Sequence, residues 1–462
     1  MKLLTLLALT RVISANELFN RSPVPGVLAL PFSHSSELDK RDAFVDLAVG
    51  ATQANYIVNI TVGTPAQPIT LSLDTGSSDT ILRTSESAFC TTNAGYCPSV
   101  GNYNANKSST YKYITSNFTS NFGFAIQGQG SGASGDVATD TFDVAGATLK
   151  NQQFAVVYGN ASIAFSILGL GYAAGENQVN TNPPQKPYDN FPLALAASGA
   201  TNLAAFSLWK DAADSHNGQV LFGGIDTAKY TGSLTTLDTQ IRSGFPTQIA
   251  FDVLLNGVGL SGNSSFPNAS TGSVPAVLDC GTAYSILPDD WVTPIHDFFN
   301  VKYFQANDTA YVDCGLQNSP YTVDFTFGGL TISVPIKIMV SLRAINPNIC
   351  AFGIVPAGTR DALLGDNFLS SSYTVFDLTN NQISLANRDF TSTSDSVEAI
   401  PKGGVKSIGS GTTGSGSSST GTATGTASTA TNTKKSGSRA FVVSSFGVAA
   451  SLFGVVIFGS LF

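Results

Sequence analysis

The chain has 462 residues and a formal net charge of −8, with 12% charged and 10% aromatic residues. That length exceeds what one compact core supports and predicts two lobes plus appendages. The acidic balance excludes nucleic acid as a natural partner and suits an acidic medium, where protonation of carboxylates lowers self-repulsion.

In chain order, residues 1–15 read as a secretory signal: Lys2, the apolar stretch Leu3 to Leu9, and the small pair Ser14-Ala15 at the cleavage point. Residues 16–41 read as a removable pro-segment ending in the dibasic pair Lys40-Arg41. Short alternating runs rich in Val, Ile, Thr, Phe and Tyr then begin, punctuated by Gly, Asn and Pro, and predict a mostly β fold. The run Ile69 to Leu73 delivers Asp74-Thr75-Gly76-Ser77-Ser78, and Ile167-Leu168-Gly169 follows. The run Val274 to Leu278 delivers Asp279-Cys280-Gly281-Thr282, and Leu363-Leu364-Gly365 follows at a similar distance. This repeat predicts two similar lobes, 42–205 and 206–398, each placing one carboxylate on a glycine-containing loop. Two carboxylates facing across a cleft share one proton, so one serves as acid while the other serves as base.

Secretion permits disulfides. The simplest pairing is Cys90–Cys97 and Cys314–Cys350, which leaves Cys280 free; other pairings stay open. Sequons at Asn59, Asn106, Asn117, Asn160, Asn263, Asn268 and Asn307 suit a glycosylated secreted protein, with a further one at Asn20 in the pro-segment. His216 and His296 lack ligand-spaced neighbours, so neither a metal site nor a Ser-His triad is expected, and no cofactor is implied. Trp209 and Trp291 read as packing residues. The stretch Gly128 to Gly135 (GQGSGASG) lacks the lysine and the strand-helix setting of a phosphate loop and reads as a hairpin turn.

Residues 399–433 form a Ser/Thr/Gly-rich stalk that buries too little apolar surface to fold. Residues 434–462 hold a polar spacer and the apolar tail Ala440 to Phe462, long enough to span a bilayer. Lys434, Lys435 and Arg439 lie on its lumenal side, against the usual charge bias of a spanning helix. Small residues, spacer and tail read better as a GPI-attachment signal, with Ser428 the candidate attachment residue. The expected location is the cell surface, anchored to the plasma membrane or transferred to the wall.

The segments YIVNITVGTP (56–65), DTGSSD (74–79), ILGLGY (167–172), LFGGID (221–226) and LLGDNFL (363–369) resemble pepsin-type aspartic endopeptidases. The run from Leu363 to Ala386 is similar to their secreted and GPI-anchored fungal branch, the candidapepsin and yapsin type; the resemblance covers residues 53–388. It implies an all-β, bilobal architecture of β-barrel lobes around a deep cleft, with Asp74 and Asp279 on its floor binding one water. Thr75 and Cys280 stand where the family cross-links the two loops; a thiol is a weaker donor than a hydroxyl, so one side of that link is expected to be weaker. Ser77 is expected to bond Asp74, and Thr282 to bond Asp279 or the substrate backbone. Gly76 and Gly281 let the backbone pass close behind the carboxylates. The flap falls at Gln127, Gly128, Gly130 and Ser131. Gln127 is nearest to the position of a family Tyr, and Ile81 replaces the Trp that bonds it, which predicts a rearranged flap. The implied protein is a monomeric, surface-anchored endopeptidase acting on proteins or peptides at acidic pH. The alternative is a catalytically weak or inactive relative that binds peptide or polysaccharide in its cleft.

Overall fold

A computed structural model describes residues 24–34, 56–93, 95, 97–121, 132–159, 163, 165–181, 183–213, 215, 217–262, 272–346 and 348–405. The signal segment, the dibasic pair, the flap residues Gln127, Gly128, Gly130 and Ser131, His216 and Ser428 lie outside them, as do Asn160, Asn263, Asn268 and the stalk and tail beyond 405.

The fold is built almost wholly of strands, in the bilobal all-β arrangement the sequence implies. Strand Tyr56–Val62 turns through Gly63 and pairs antiparallel with Gln67–Asp74, from Tyr56 opposite Leu73 to Val62 opposite Gln67. Val58, Ile60, Ile69, Leu71 and Leu73 from this hairpin are all buried in the main core. Gln67–Asp74 runs parallel to Ser166–Gly169, which is antiparallel to Thr80–Ser87, which is parallel to Ala147–Gly159.

The second half repeats this wiring. Val274–Leu278 runs parallel to Ala362–Leu364, which is antiparallel to Ser285–Leu287, which is parallel to Ile354–Pro356. In both halves the strand that precedes the aspartate is therefore clamped by the apolar-apolar-Gly strand seen in the sequence. Strands Ala205–Lys210, Asn217–Phe222, Ser372–Asp377 and Gln382–Arg388 join the halves in a thirteen-stranded sheet. Helix Asp289–Phe299 packs Trp291, Val292, Ile295 and His296 inward, and His296 Nε2 meets Ile354 O at 2.9 Å. The periodicity of those four residues is that of one helix face.

Two segments extend the packed body beyond the expected lobe limits. Leu28–His34, inside the expected pro-segment, pairs with Asn217–Phe222 on one side and with Tyr56–Val62 on the other. Leu28, Leu30 and Phe32 enter the main core, while Val27 and Ala29 join a second cluster with Trp209, Tyr373, Ile400 and Val405. At the other end, Val397–Ala399 pairs with Gly224–Asp226, and Ile400 and Val405 are buried. The packed chain thus continues past residue 398.

Both expected disulfides are formed, Cys90–Cys97 and Cys314–Cys350, and Cys280 is free and buried. Among the sequons, Asn59, Asn106 and Asn117 are exposed. No helix among the described residues is long and apolar enough to cross a membrane.

Candidate active site

The two half-molecule repeats bring their aspartates to one place. Asp74 is the last residue of its strand, and its carbonyl accepts from Leu170 N at 2.8 Å. Asp279 follows its strand directly, and its amide donates to Leu364 O at 3.0 Å. Each carboxylate is gripped by its own loop in the same way. Gly76 N donates to Asp74 Oδ1 at 2.9 Å and Ser77 Oγ to Oδ2 at 2.5 Å. Gly281 N donates to Asp279 Oδ1 at 2.7 Å and Thr282 Oγ1 to Oδ2 at 2.6 Å. The side-chain partners expected from sequence, Ser77 and Thr282, are therefore both in place, with Thr282 on the carboxylate.

The loops are also tied to each other. Thr75 Oγ1 donates to Leu278 O at 2.9 Å and accepts from Cys280 N at 2.9 Å. On the opposite side Cys280 Sγ donates to Leu73 O at 3.4 Å. Thr75 and Cys280 are both buried, so neither link competes with water. Burial, and then the nearby Asp279 and Asp74 charges, push the Cys280 thiol well above its usual range, so it keeps the proton it donates.

The glycines do more than pass behind their own carboxylates. A Cβ on Gly76 would stand 2.7 Å from Asp279 Cγ, and one on Gly281 would stand 2.7 Å from Asp74 Oδ1. Each glycine is thus the seat of the opposite lobe's acid, and any side chain there would push the pair apart. Asp279 is only 7% exposed, whereas Asp74 is half-buried. The Asp279 carboxyl is raised well above the ordinary range, first by burial and then by the Asp74 charge, against the bonds from Thr282 and Gly281. In such a site two adjacent carboxyls hold one proton more readily than none.

Gly76 and Asp279 open into a cavity whose wall is largely apolar, with Phe245, Ile249, Val277 and Leu363, and carries Arg242. Arg242 is held in a fork by the buried Asp252, at 2.8 and 3.1 Å. Ile81, at the expected Trp position, is buried in a small apolar cluster with Phe118, Val137 and Val157 and offers no donor. Among the described residues no group of His, Cys, Asp and Glu is arranged to hold a metal ion.

Some supports were not assigned from sequence. Ser78 Oγ donates to Tyr172 O at 2.6 Å, and Asn190 Nδ2 donates to Gly171 O at 2.6 Å, fixing the back of the Asp74 loop. Both Ser78 and Tyr172 sit inside the quoted motifs, so the signal was present. Asn190 comes from a loop without a motif.

A model of the eukaryotic aspartyl protease family matches residues 55–388. The chain is 38% identical over 401 residues to a probable aspartic-type endopeptidase, OpsB, of Aspergillus oryzae, covering 83% of this chain and 80% of that protein. It is 32% identical to the aspartic proteinase yapsin-3 of Saccharomyces cerevisiae, covering 79% and 72% of the two chains. It is 29% identical to barrierpepsin of the same yeast, covering 75% and 62%. Matched across both halves of the fold, the chain belongs to the eukaryotic aspartyl protease family, in its pepsin-type fungal branch, and is an aspartic-type endopeptidase.

Proposed function

We propose that the chain is a secreted, surface-anchored endopeptidase that cuts peptide bonds at acidic pH with Asp74, Asp279 and one water. The reciprocal seating of each acid on the opposite glycine carries this reading, because it lets two carboxyls stand side by side on loops tied through Thr75 and Cys280. Asp279, more buried and raised, keeps the shared proton; Asp74, half-buried, is the base. Asp74 takes a proton from the water as its oxygen bonds to the scissile carbonyl carbon. Asp279 gives its proton to the carbonyl oxygen, whose π electrons become a lone pair, leaving a neutral gem-diol. The proton on Asp74 then passes to the amide nitrogen as the C–N bond breaks, and a diol hydroxyl returns one to Asp279. Both carboxyls end as they began, with no covalent intermediate.

The upper limit of activity follows from the shared proton: once the pair is fully ionised, no acid remains. Gly76, Ser77, Gly281 and Thr282 orient the carboxylates, and Thr75 with Cys280 ties the loops. Two disulfides and the signal, stalk and tail of the sequence favour export and a GPI anchor. The non-catalytic alternative gains nothing from the structure, since a binding cleft has no need of two carboxyls pressed together.

The test has two arms. Matured protein is expected to digest denatured globin at about pH 3 to 5 in a pepstatin-sensitive way, and Asp279→Asn to abolish digestion while keeping the melting curve. Wild-type protein without pepstatin-sensitive cleavage rejects the catalytic reading. Phosphatidylinositol-specific phospholipase C is expected to release the protein from intact cells; retention on treated, wall-stripped cells rejects the lipid anchor.

A further inference from the structure

Behind the paired loops lies a charged network that the two-aspartate reading leaves unused. Lys210 ends an interlobe strand and is 5% exposed, a rare setting for a lysine. Its ammonium lies 2.8 Å from each carboxylate oxygen of Asp366 and 3.1 Å from Ser370 Oγ. Tyr56 donates its hydroxyl to Asp366 Oδ1, and Lys210 Nζ stands 5.3 Å from the centre of the Tyr56 ring. The three residues come from the hairpin strand of the first half, the interlobe sheet, and the turn after Leu363-Leu364-Gly365.

The network reaches the site by two routes. Asp366 N donates to Thr282 O at 2.7 Å, and Thr282 Oγ1 donates in turn to Asp279. The turns are pressed together there: a Cβ on Gly365 would lie 2.5 Å from Thr282 O. On the other route, Tyr56 is paired across the sheet with Leu73, whose carbonyl accepts the Cys280 thiol. The Tyr56 hydroxyl is held far above its usual range, first by burial, then by Asp366, with a smaller contribution from Cys280.

We propose that Lys210, Asp366 and Tyr56 form a positioning unit for the catalytic centre, anchoring Asp366 so that its backbone holds Thr282 on Asp279. The inference rests on the Asp74–Asp279 reading. The unit braces the loop that carries the thiol, whose 3.4 Å contact is the longer of the two cross-links. The titratable groups within and against it are the Lys210 ammonium, the Asp366 carboxylate, the protonated Tyr56 hydroxyl and Cys280 thiol, the buried Arg388, whose Nε donates to Lys210 O at 2.8 Å, and beyond them the two aspartates. As a pair, Lys210 and Asp366 add no net charge behind the dyad; one without the other leaves a charge that water screens poorly.

The experiment is the pH profile of peptide hydrolysis by the matured full chain. Lys210→Met leaves the Asp366 carboxylate alone. It is expected to lower kcat about tenfold with KM within about twofold, and to move the upper limb of the profile to higher pH. Asp366→Asn leaves the ammonium alone and is expected to move that limb to lower pH. The double variant, neutral again, is expected to return the limb to the wild-type position with kcat still reduced. Tyr56→Phe keeps both charges and is expected to lower kcat about threefold with the limb unmoved. Limbs that stay in place in both single variants, or that move in the same direction, overturn the proposal. If the single variants do not fold, wild-type kcat in both Tyr56→Phe and the double variant overturns it. Failure of the underlying reading shows separately, as residual cleavage by Asp279→Asn.

Discussion

Cys280 holds its side of the loop cross-link through sulfur at 3.4 Å, where Thr75 uses oxygen at 2.9 Å. The two positions are otherwise alike: buried, and bonded to the carbonyl just before the opposite aspartate. Cys280→Thr should therefore restore the symmetric link, with kcat/KM unchanged or up to about threefold higher. A loss above about tenfold, in protein of unchanged melting temperature, would show that the thiol has another task. At this scale the sequence spoke clearly for side chains that act within their own loop. Ser77 on Asp74 is what the family resemblance implies, and that resemblance left Thr282 between Asp279 and the substrate backbone; the structure puts it on Asp279. The seating of Asp279 on Gly76 was not legible, because it joins residues from different halves of the chain and needs the fold to appear. Lys210 was equally hidden: nothing in FSLWKD marks it as buried, and its pairing with the part-buried Asp366 appears only in the fold.

Leu28–His34 is the element whose setting the sequence concealed most. Its position between a signal and a dibasic pair marks it for removal, yet it lies in mid-sheet with neighbours on both sides. Leaving it out would expose the edge of Asn217–Phe222 and the Tyr56-Ile57 end of the hairpin strand, so removal of the expected pro-segment requires pulling out a segment whose residues 27–30 and 32 are buried. Phe32 shows the tightness: its ring packs 4.6 Å from that of Tyr56, and a Cβ on Gly218 would reach within 2.3 Å of it. In the full chain, Phe32→Ala is expected to cost about 3 to 5 kcal/mol in urea unfolding. A cost below about 1 kcal/mol would mean that the strand adds little to the fold. The clamping strands around the aspartates were, by contrast, readable from their apolar-apolar-Gly pattern. That pattern is needed because Gly169 and Gly365 each lie against backbone, at 2.5 and 2.3 Å from a would-be Cβ.

Across the whole molecule, four of the described carboxyls are tuned toward acid, while burial lowers His296, and at Asp308 burial is outweighed by the Arg360 bond, which lowers it. Asp279, Glu176, Asp79 and Asp377 are all raised, each chiefly by burial. Glu176 rises furthest outside the cleft, to about 9; its Oε2 accepts from Tyr188 N at 2.9 Å, while its buried Oε1 has no partner among the described residues. A group whose pKa is raised by folding contributes its stability below the unfolded value and loses it as pH climbs through the folded one. For Glu176 that window runs from 4.5 to about 9. The Glu176 contribution is therefore expected to fall across this window, so that Glu176→Gln, neutral throughout, gains melting temperature relative to the wild type as pH rises. A difference between the two proteins that does not grow with pH would contradict the expectation. The same molecule also constrains its own divergence. Because each half supplies the glycine floor on which the other half's acid rests, neither half can drift freely. Thr75 has a cysteine counterpart and Ser77 a threonine one, yet a methyl group on Gly76 or Gly281 would be felt in the opposite lobe. Each half is thus the other's template at one glycine α-carbon.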